Sequence, residues 1–313
     1  MTGTTTGPMD PAAAYSGYSG YRSLRVTLAH GIARVTLDNG AINLLDKPLY
    51  KELIRLVAQL AADAQVRVVV LCSANPDFFI AHFDVGLILK FPVEAPVPAP
   101  GEPATLSPFH QLCEALRTMP KATIAVIEGR AGGGGSEIAL SCDMRFALRG
   151  RAVFNQPEVA LGILPGGSGT VRLSRLLGRG RAMEVVLGCD DVSAELAEAW
   201  GWVNRALPAD QLWPHVDRLA ARIASFPAHA VAAAKACVLR ADMGVVDDLH
   251  AEAAAFQATL GGEGTHAAMR RFLATGGQTP AGELRLGELA GDLHAAPPGR
   301  SPGAPSGADH PAG

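Results

Sequence analysis

The stretch from Glu128 to Leu140, with four consecutive glycines at Gly132–Gly135, follows an apolar run from Thr123 to Ile127 and leads into a helical pattern. Glycines at a strand-to-helix junction let the backbone approach a ligand closely and bring N–H groups to a helix N-terminus, where partial positive charge collects. A developing oxyanion suits that environment. A second carboxylate, Glu158, follows a rigid proline in Phe154-Asn155-Gln156-Pro157-Glu158, and another glycine-rich stretch runs from Gly162 to Thr170. Glu137 on the glycine-started helix and Glu158 on the following loop make a candidate acid/base pair. The glycines between Pro165 and Thr170 lack the Lys-Ser/Thr that completes a phosphate loop.

The rest of the chain narrows the class. Its 313 residues suffice for one large domain or two small ones with a sizeable core. A formal net charge of −3 gives no electrostatic reason to expect nucleic acid or an anionic membrane as partner. No run reaches the roughly 18 apolar residues of a membrane span, and the N-terminus shows no basic segment followed by an apolar one, so no signal peptide is expected. The five cysteines lie far apart, with no CxxC or Cys/His ligand spacing, which predicts buried reduced thiols, no metal site and a cytoplasmic location.

Along the chain, residues 1–20 read as a flexible leader and order is expected from about Tyr21. Two strands, Leu24–Leu28 and Gly31–Leu37, precede a helix with Leu49, Leu53, Leu56, Val57 and Leu60 on one face. Val66–Cys72 and Ala122–Ile127 are continuous apolar runs, the pattern of strands buried on both faces. A helix from Phe109 to Arg117 lies between them. Residues 91–108 hold six prolines and read as a loop or lid. Further strands at Asp143–Leu148 and Ala152–Phe154 and a helix at Gly169–Leu177 continue a strand–helix order that argues for parallel units through residues 21–193. From Ala194 to about residue 275 the pattern is five helices without intervening strands, a helical cap or oligomerisation layer. Residues 276–313, rich in Gly, Pro and Ala, are expected to be disordered.

Taken together, Ile42-Asn43-Leu44-Leu45, Phe79-Ile80-Ala81-His82-Phe83-Asp84, Gly132–Glu137, Cys142-Asp143, Phe154–Glu158 with Leu161-Gly162, Pro165–Thr170 with Arg172-Leu173, and Ala182-Met183-Glu184 resemble the crotonase superfamily of enoyl-CoA hydratases and isomerases. The resemblance runs from about Leu24 to Leu273. It implies an α/β fold, a spiral of ββα repeats followed by C-terminal helices that assemble trimers or dimers of trimers. It also implies an acyl-CoA thioester as substrate, with coenzyme A entering as part of that substrate and no permanently bound cofactor. The family's two oxyanion-hole donors fall on Ala81 and Gly134, and its two glutamates on Glu137 and Glu158. Ile80, Phe83, Gly133, Leu161 and Gly166 are the accompanying substrate-binding candidates.

Two departures shape the functional expectation. Where hydratases have a small residue after the first donor, this chain has His82, whose imidazole could donate to a carbonyl or exchange a proton near neutral pH. The basic cluster that helps hold the CoA nucleotide is here Arg270-Arg271 without a lysine, leaving Lys47, Lys90 or Arg271 as substitutes. The leading expectation is a hydratase-like lyase adding water to an enoyl thioester, or removing it, through an enolate. The alternative is a hydrolase of the same fold cleaving a β-diketone C–C bond, or acting on another substrate that is not a CoA ester, with His82 at the oxyanion hole.

Overall fold

The computed structural model describes residues 17–92, 106–242 and 244–293. Most of the expected lid, residues 93–105, lies outside the described residues, as do 1–16 and 294–313. The first described elements are β1 (Leu24–Ala29) and β2 (Ile32–Leu37), paired antiparallel. Helix α1 (Lys47–Ala62) follows, capped by the Asp46 side chain, which accepts from the Leu49 amide at 3.0 Å. The expected leader ends earlier than Tyr21, because Tyr18 is already buried and its hydroxyl donates to Asp63 at 2.7 Å.

The chain then winds through repeated turns, each placing one strand in each of two sheets. β3 (Val68–Ser73) leads to β4 (Phe78–Ile80), then α2 (Val85–Ile88) and α3 (Pro108–Thr118). β5 (Ala122–Ile127) leads to β6 (Arg130–Gly132) and α4 (Gly133–Leu140). β7 (Met144–Leu148) leads to β8 (Val153–Asn155), α5 (Gly169–Leu177) and α6 (Arg179–Gly188). The larger sheet has the order β1-β2-β3-β5-β7 with one further strand, and it is parallel from β2 onward. In the smaller sheet β4, β6 and β8 are parallel neighbours.

Burial explains the unbroken apolar run of β3. Successive side chains of a strand point to opposite faces. Val69 and Leu71 join the main core with Leu49, Leu53, Leu56 and Leu60 of α1, whereas Val68, Val70 and Cys72 enter a second core. The partner there is α8 (Ala209–Ala224), through Leu212, Val216 and Ala220.

The C-terminal region corrects the sequence reading in two places. β9 (Val192–Ser193), at the end of the spiral, pairs with β8 and leads into α7 (Ala194–Trp200), and the region after Ala194 is not strand-free, because β10 (Arg205–Leu207) completes the larger sheet beside β7. Strands of two and three residues are too short to show a period. After α9 (Ala228–Leu239), α10 (Val245–Leu260) and α11 (Thr265–Ala274), the chain does not become disordered at 276 but forms α12 (Pro280–Glu283) and α13 (Leu286–Asp292). Leu286 and Leu293 bury against Val85, Ile88, Leu161 and Phe272. Glycine and proline content hid this segment, and the spacing of Leu286, Ala290 and Leu293 was the signal available.

Candidate active site

The glycine-rich stretch after Pro165 turns its amides inward and grips two carboxylates alternately. Gly167 and Gly169 donate to Glu137 Oε1 at 2.7 and 2.8 Å, while Ser168 and Thr170 donate to Glu252 Oε1 and Oε2 at 2.6 and 3.0 Å. Ser168 accepts a left-handed φ of 94° to make the alternation possible. Successive N–H groups in such a turn form an anion-binding concavity. Here the anions belong to the protein. Glu252, on α10, and its second partner His110, whose Nε2 lies 2.8 Å from Glu252 Oε1, escaped the sequence reading. Each looks isolated until α10 is laid over the loop.

Glu137 and Glu158 are both buried, and each lies within the electrostatic reach of the other. Glu158 leaves β8 after Pro157, and its Oε2 has no hydrogen-bond partner among the described residues. Burial, followed by the charges of Glu158 and Glu252, raises Glu137 well above the ordinary carboxylate range against the pull of the Gly167 and Gly169 amides. Burial likewise lifts Glu158 to about 7, opposed by its own backbone amide and by His82. Two carboxylates in one low-dielectric space do not ionise together readily. Near neutral pH the pair can therefore hold one as an acid and the other as a base.

The two expected oxyanion donors differ in what their amides meet. Gly134 is in the first turn of α4, where amides have no intrahelical acceptor. The Ala81 amide, by contrast, already donates to the Ile42 carbonyl at 3.2 Å. Two residues on, the Phe83 N–H has no acceptor among the described residues. Leu45 takes up its neighbours: it donates to the His82 carbonyl at 3.0 Å and accepts from the Asp84 amide at 3.2 Å, so peptide alternation turns the Phe83 N–H to the other side. That side faces the glycine run, since a Cβ built on Gly134 would lie 3.3 Å from Phe83 N. A signal for this shift is Asp84, whose side chain caps α2 through the Gly86 amide at 2.9 Å and ends the extended segment at Phe83.

The other candidates divide. Phe83 and Leu161 share a cavity with His82, Glu158, Ile163 and Phe272, and Gly133 abuts Glu158. Ile80 is fully buried under Gly135, where an added Cβ would come within 2.3 Å of the Ile80 carbonyl oxygen, so its side chain belongs to the core. Gly166 packs beneath the Phe256 ring of α10 rather than beside the two glutamates. His82 has both ring nitrogens engaged: Nδ1 lies 2.8 Å from the Phe83 carbonyl and Nε2 2.9 Å from Glu283 Oε1 of α12. Neither is free to meet a substrate carbonyl. Arg271 is held by the Leu293 carbonyl, while Lys47 and Lys90 are exposed.

A two-sheet ββα spiral with paired buried glutamates beside a glycine-started helix defines a member of the crotonase superfamily. Residues 27–278 match the family described as enoyl-CoA hydratase/isomerase, and the chain belongs to that family as an enzyme. It is 32% identical over 244 residues to the short-chain-enoyl-CoA hydratase of Clostridium acetobutylicum, covering 77% of this chain and 91% of that one. It is 35% identical over 196 residues to the crotonyl-CoA hydratase of Syntrophomonas wolfei, covering 63% and 73%. Among solved structures, a Streptomyces avermitilis protein assigned as an enoyl-CoA hydratase superposes with a TM-score of 0.79 at 38% identity, over 88% of this chain and 99% of that one.

Proposed function

We propose that the protein is an enoyl-CoA hydratase-like lyase that adds water to a 2-enoyl thioester, or removes it, through an enolate. The amides of Phe83 and Gly134 receive the thioester oxygen, where negative charge collects. Glu137 and Glu158 share the proton work. One carboxylate takes a proton from water as its oxygen bonds to the β-carbon; the other, protonated, gives its proton to the α-carbon as the enolate collapses. The sum is one water added across the double bond; the base glutamate ends protonated and the acid glutamate ionised, and transfer of that proton between them, directly or through solvent, resets the pair. Apolar walls from Val85, Ile88, Leu161, Ile163 and Phe272 suit the acyl chain.

The observation that carries this reading is the juxtaposition of two uncommitted amides with two carboxylates whose burial keeps one protonated. General acid–base groups contribute typically about 10²–10⁴-fold. With crotonyl-CoA as substrate, Glu137→Gln and Glu158→Gln are each expected to lower kcat by that range, with 3-hydroxyacyl-CoA as the wild-type product. Undiminished turnover in both variants would remove the mechanism, and a 3-enoyl product instead would move the protein to isomerisation. The alternative of β-diketone cleavage, or of another substrate that is not a CoA ester, loses one of its two motives because both His82 ring nitrogens are engaged within the protein, and keeps the other, the C-terminal cluster without a lysine. Calorimetry with acetoacetyl-CoA separates the two, because a non-CoA substrate predicts no micromolar binding.

The proposal includes a homotrimer or dimer of trimers in the cytoplasm. Four of the five thiols are buried and all are unpaired, which suits a reducing compartment. Among the described residues no helix is long and apolar enough to cross a membrane.

A further inference from the structure

His82 sits where the fold otherwise places a small residue, and its surroundings prescribe its hydrogens. The Phe83 carbonyl can only accept, so Nδ1 carries a hydrogen. Nε2 faces Glu283 Oε1, which also accepts the Gln278 amide at 2.5 Å and so acts as a carboxylate oxygen. Both ring nitrogens therefore donate, and the ring is an imidazolium. Its counter-charge arrives from 201 residues away, on α12.

The attachment is built with care for position. Gln278 takes a left-handed φ of 65° and ties two acidic residues together: its amide holds Glu283, and its Nε2 donates to Asp84 Oδ1 at 3.0 Å. Glu283 is fully buried. His82 and Glu158 flank the same glycine. A Cβ on Gly133 would lie 2.7 Å from Glu158 Oε1 and 3.3 Å from His82 Cβ. The imidazolium is bonded to one carboxylate, Glu283, and its charge is felt by a second, Glu158, while its Nδ1 bond holds the carbonyl of Phe83, whose amide is the proposed oxyanion donor.

We infer that His82, held as a cation by Glu283, is a positioning residue that keeps Glu158 available as a carboxylate near neutral pH and fixes the Phe83 segment of the oxyanion hole. This rests on the hydratase reading of Glu158. The charged groups around the device are accounted for. Glu158 faces His82, Glu137 of α4 and Glu252 of α10. His82 faces Glu283 and Glu158. Glu283 feels Arg130 of β6, whose guanidinium is already paired with Asp191 at 2.6 Å. Burial alone would push His82 down, but Glu283, the Phe83 carbonyl and Glu158 together outweigh it and raise it; burial would raise Glu283, and His82 brings it below its ordinary value.

Two measurements test the device. In His82→Gln, which can still donate to the Phe83 carbonyl but bears no charge, the acid limb of kcat/KM for crotonyl-CoA should move up by about one pH unit, a roughly tenfold loss at pH 6 relative to the wild type's own profile. A limb that stays in place while activity falls at every pH would overturn the inference, leaving His82 a packing residue. Independently of turnover, ring nitrogen NMR of the full-length wild type should show His82 titrating above an ordinary imidazole and still imidazolium at pH 7, and Glu283→Gln should bring its titration to lower pH. A neutral His82 at pH 7 in the wild type, or an unmoved titration in Glu283→Gln, sinks the device. Because this readout needs no substrate, it separates failure of the charge pair from failure of the hydratase reading.

Discussion

Glu158 shows at the scale of one residue how the site trades stability for chemistry. Its folded value of about 7 lies above the ordinary 4.5 of a free glutamate because burial disfavours the charge. The favourable contribution of such a raised acid is fully present below its unfolded value and is lost as pH rises through about 7. Above that, the folded state must hold an ion that the unfolded state holds more easily. Glu158→Gln cannot ionise, so it should be more stable than the wild type at pH 8 by on the order of 3 kcal/mol and about equally stable at pH 4. Guanidinium denaturation at the two pH values checks this. Both Glu137 and Glu158 were legible in the sequence because each sits in a short, recognisable motif. Glu252 was not, since nothing local distinguishes it from the other acidic residues of α10.

At the scale of an element, α4 carries the argument. Its first turn contains three glycines, each pressed by a different neighbour: Gly133 by Glu158, Gly134 by Phe83, Gly135 by Ile80. A methyl group on Gly134 would sit 3.1 Å from Phe83 Cβ and 3.3 Å from Phe83 N, in the space assigned to the thioester oxygen. Gly134→Ala should therefore lower kcat by about 10²–10³-fold, the usual cost of losing one oxyanion donor. Circular dichroism and steady-state kinetics together distinguish this from unfolding. The four-glycine run announced close packing from the sequence alone. Which neighbour each glycine serves was not readable, because β4, the Leu45–Phe83 bridge and the loop after β8 approach α4 from separate parts of the chain.

For the whole molecule, α9 is the exception to the packing seen elsewhere. Its sequence, Ala228–Leu239, is apolar, yet none of its residues is buried and Val238 is 72% exposed. One side of α9 meets the core through Val231 and Lys235, and an apolar helix otherwise exposed in one copy fits an interface with further copies. Light scattering should give a trimer or a multiple of it for the wild type, and Val238→Asp should shift the population toward smaller species. A wild-type monomer would remove the oligomer proposal. The five C-terminal helices were legible from their periodicity, whereas the fact that the chain continues past residue 276 to supply Glu283 was obscured by its glycines and prolines.

By itself the sequence determined the alternation of buried strands and helices, the glycine-started helix and the two glutamates, because each depends on residues close together along the chain. Tertiary structure alone decided which amides and charges meet. Strand alternation around Leu45 turns the Phe83 amide away from Leu45, while the Ala81 amide is spent on the Ile42 carbonyl. Contacts spanning 84 and 201 residues brought Glu252 to the Ser168 amide and Glu283 to His82. Such pairings arise only when the spiral closes and the C-terminal segment packs over it, since neither partner has a local sequence pattern that names the other.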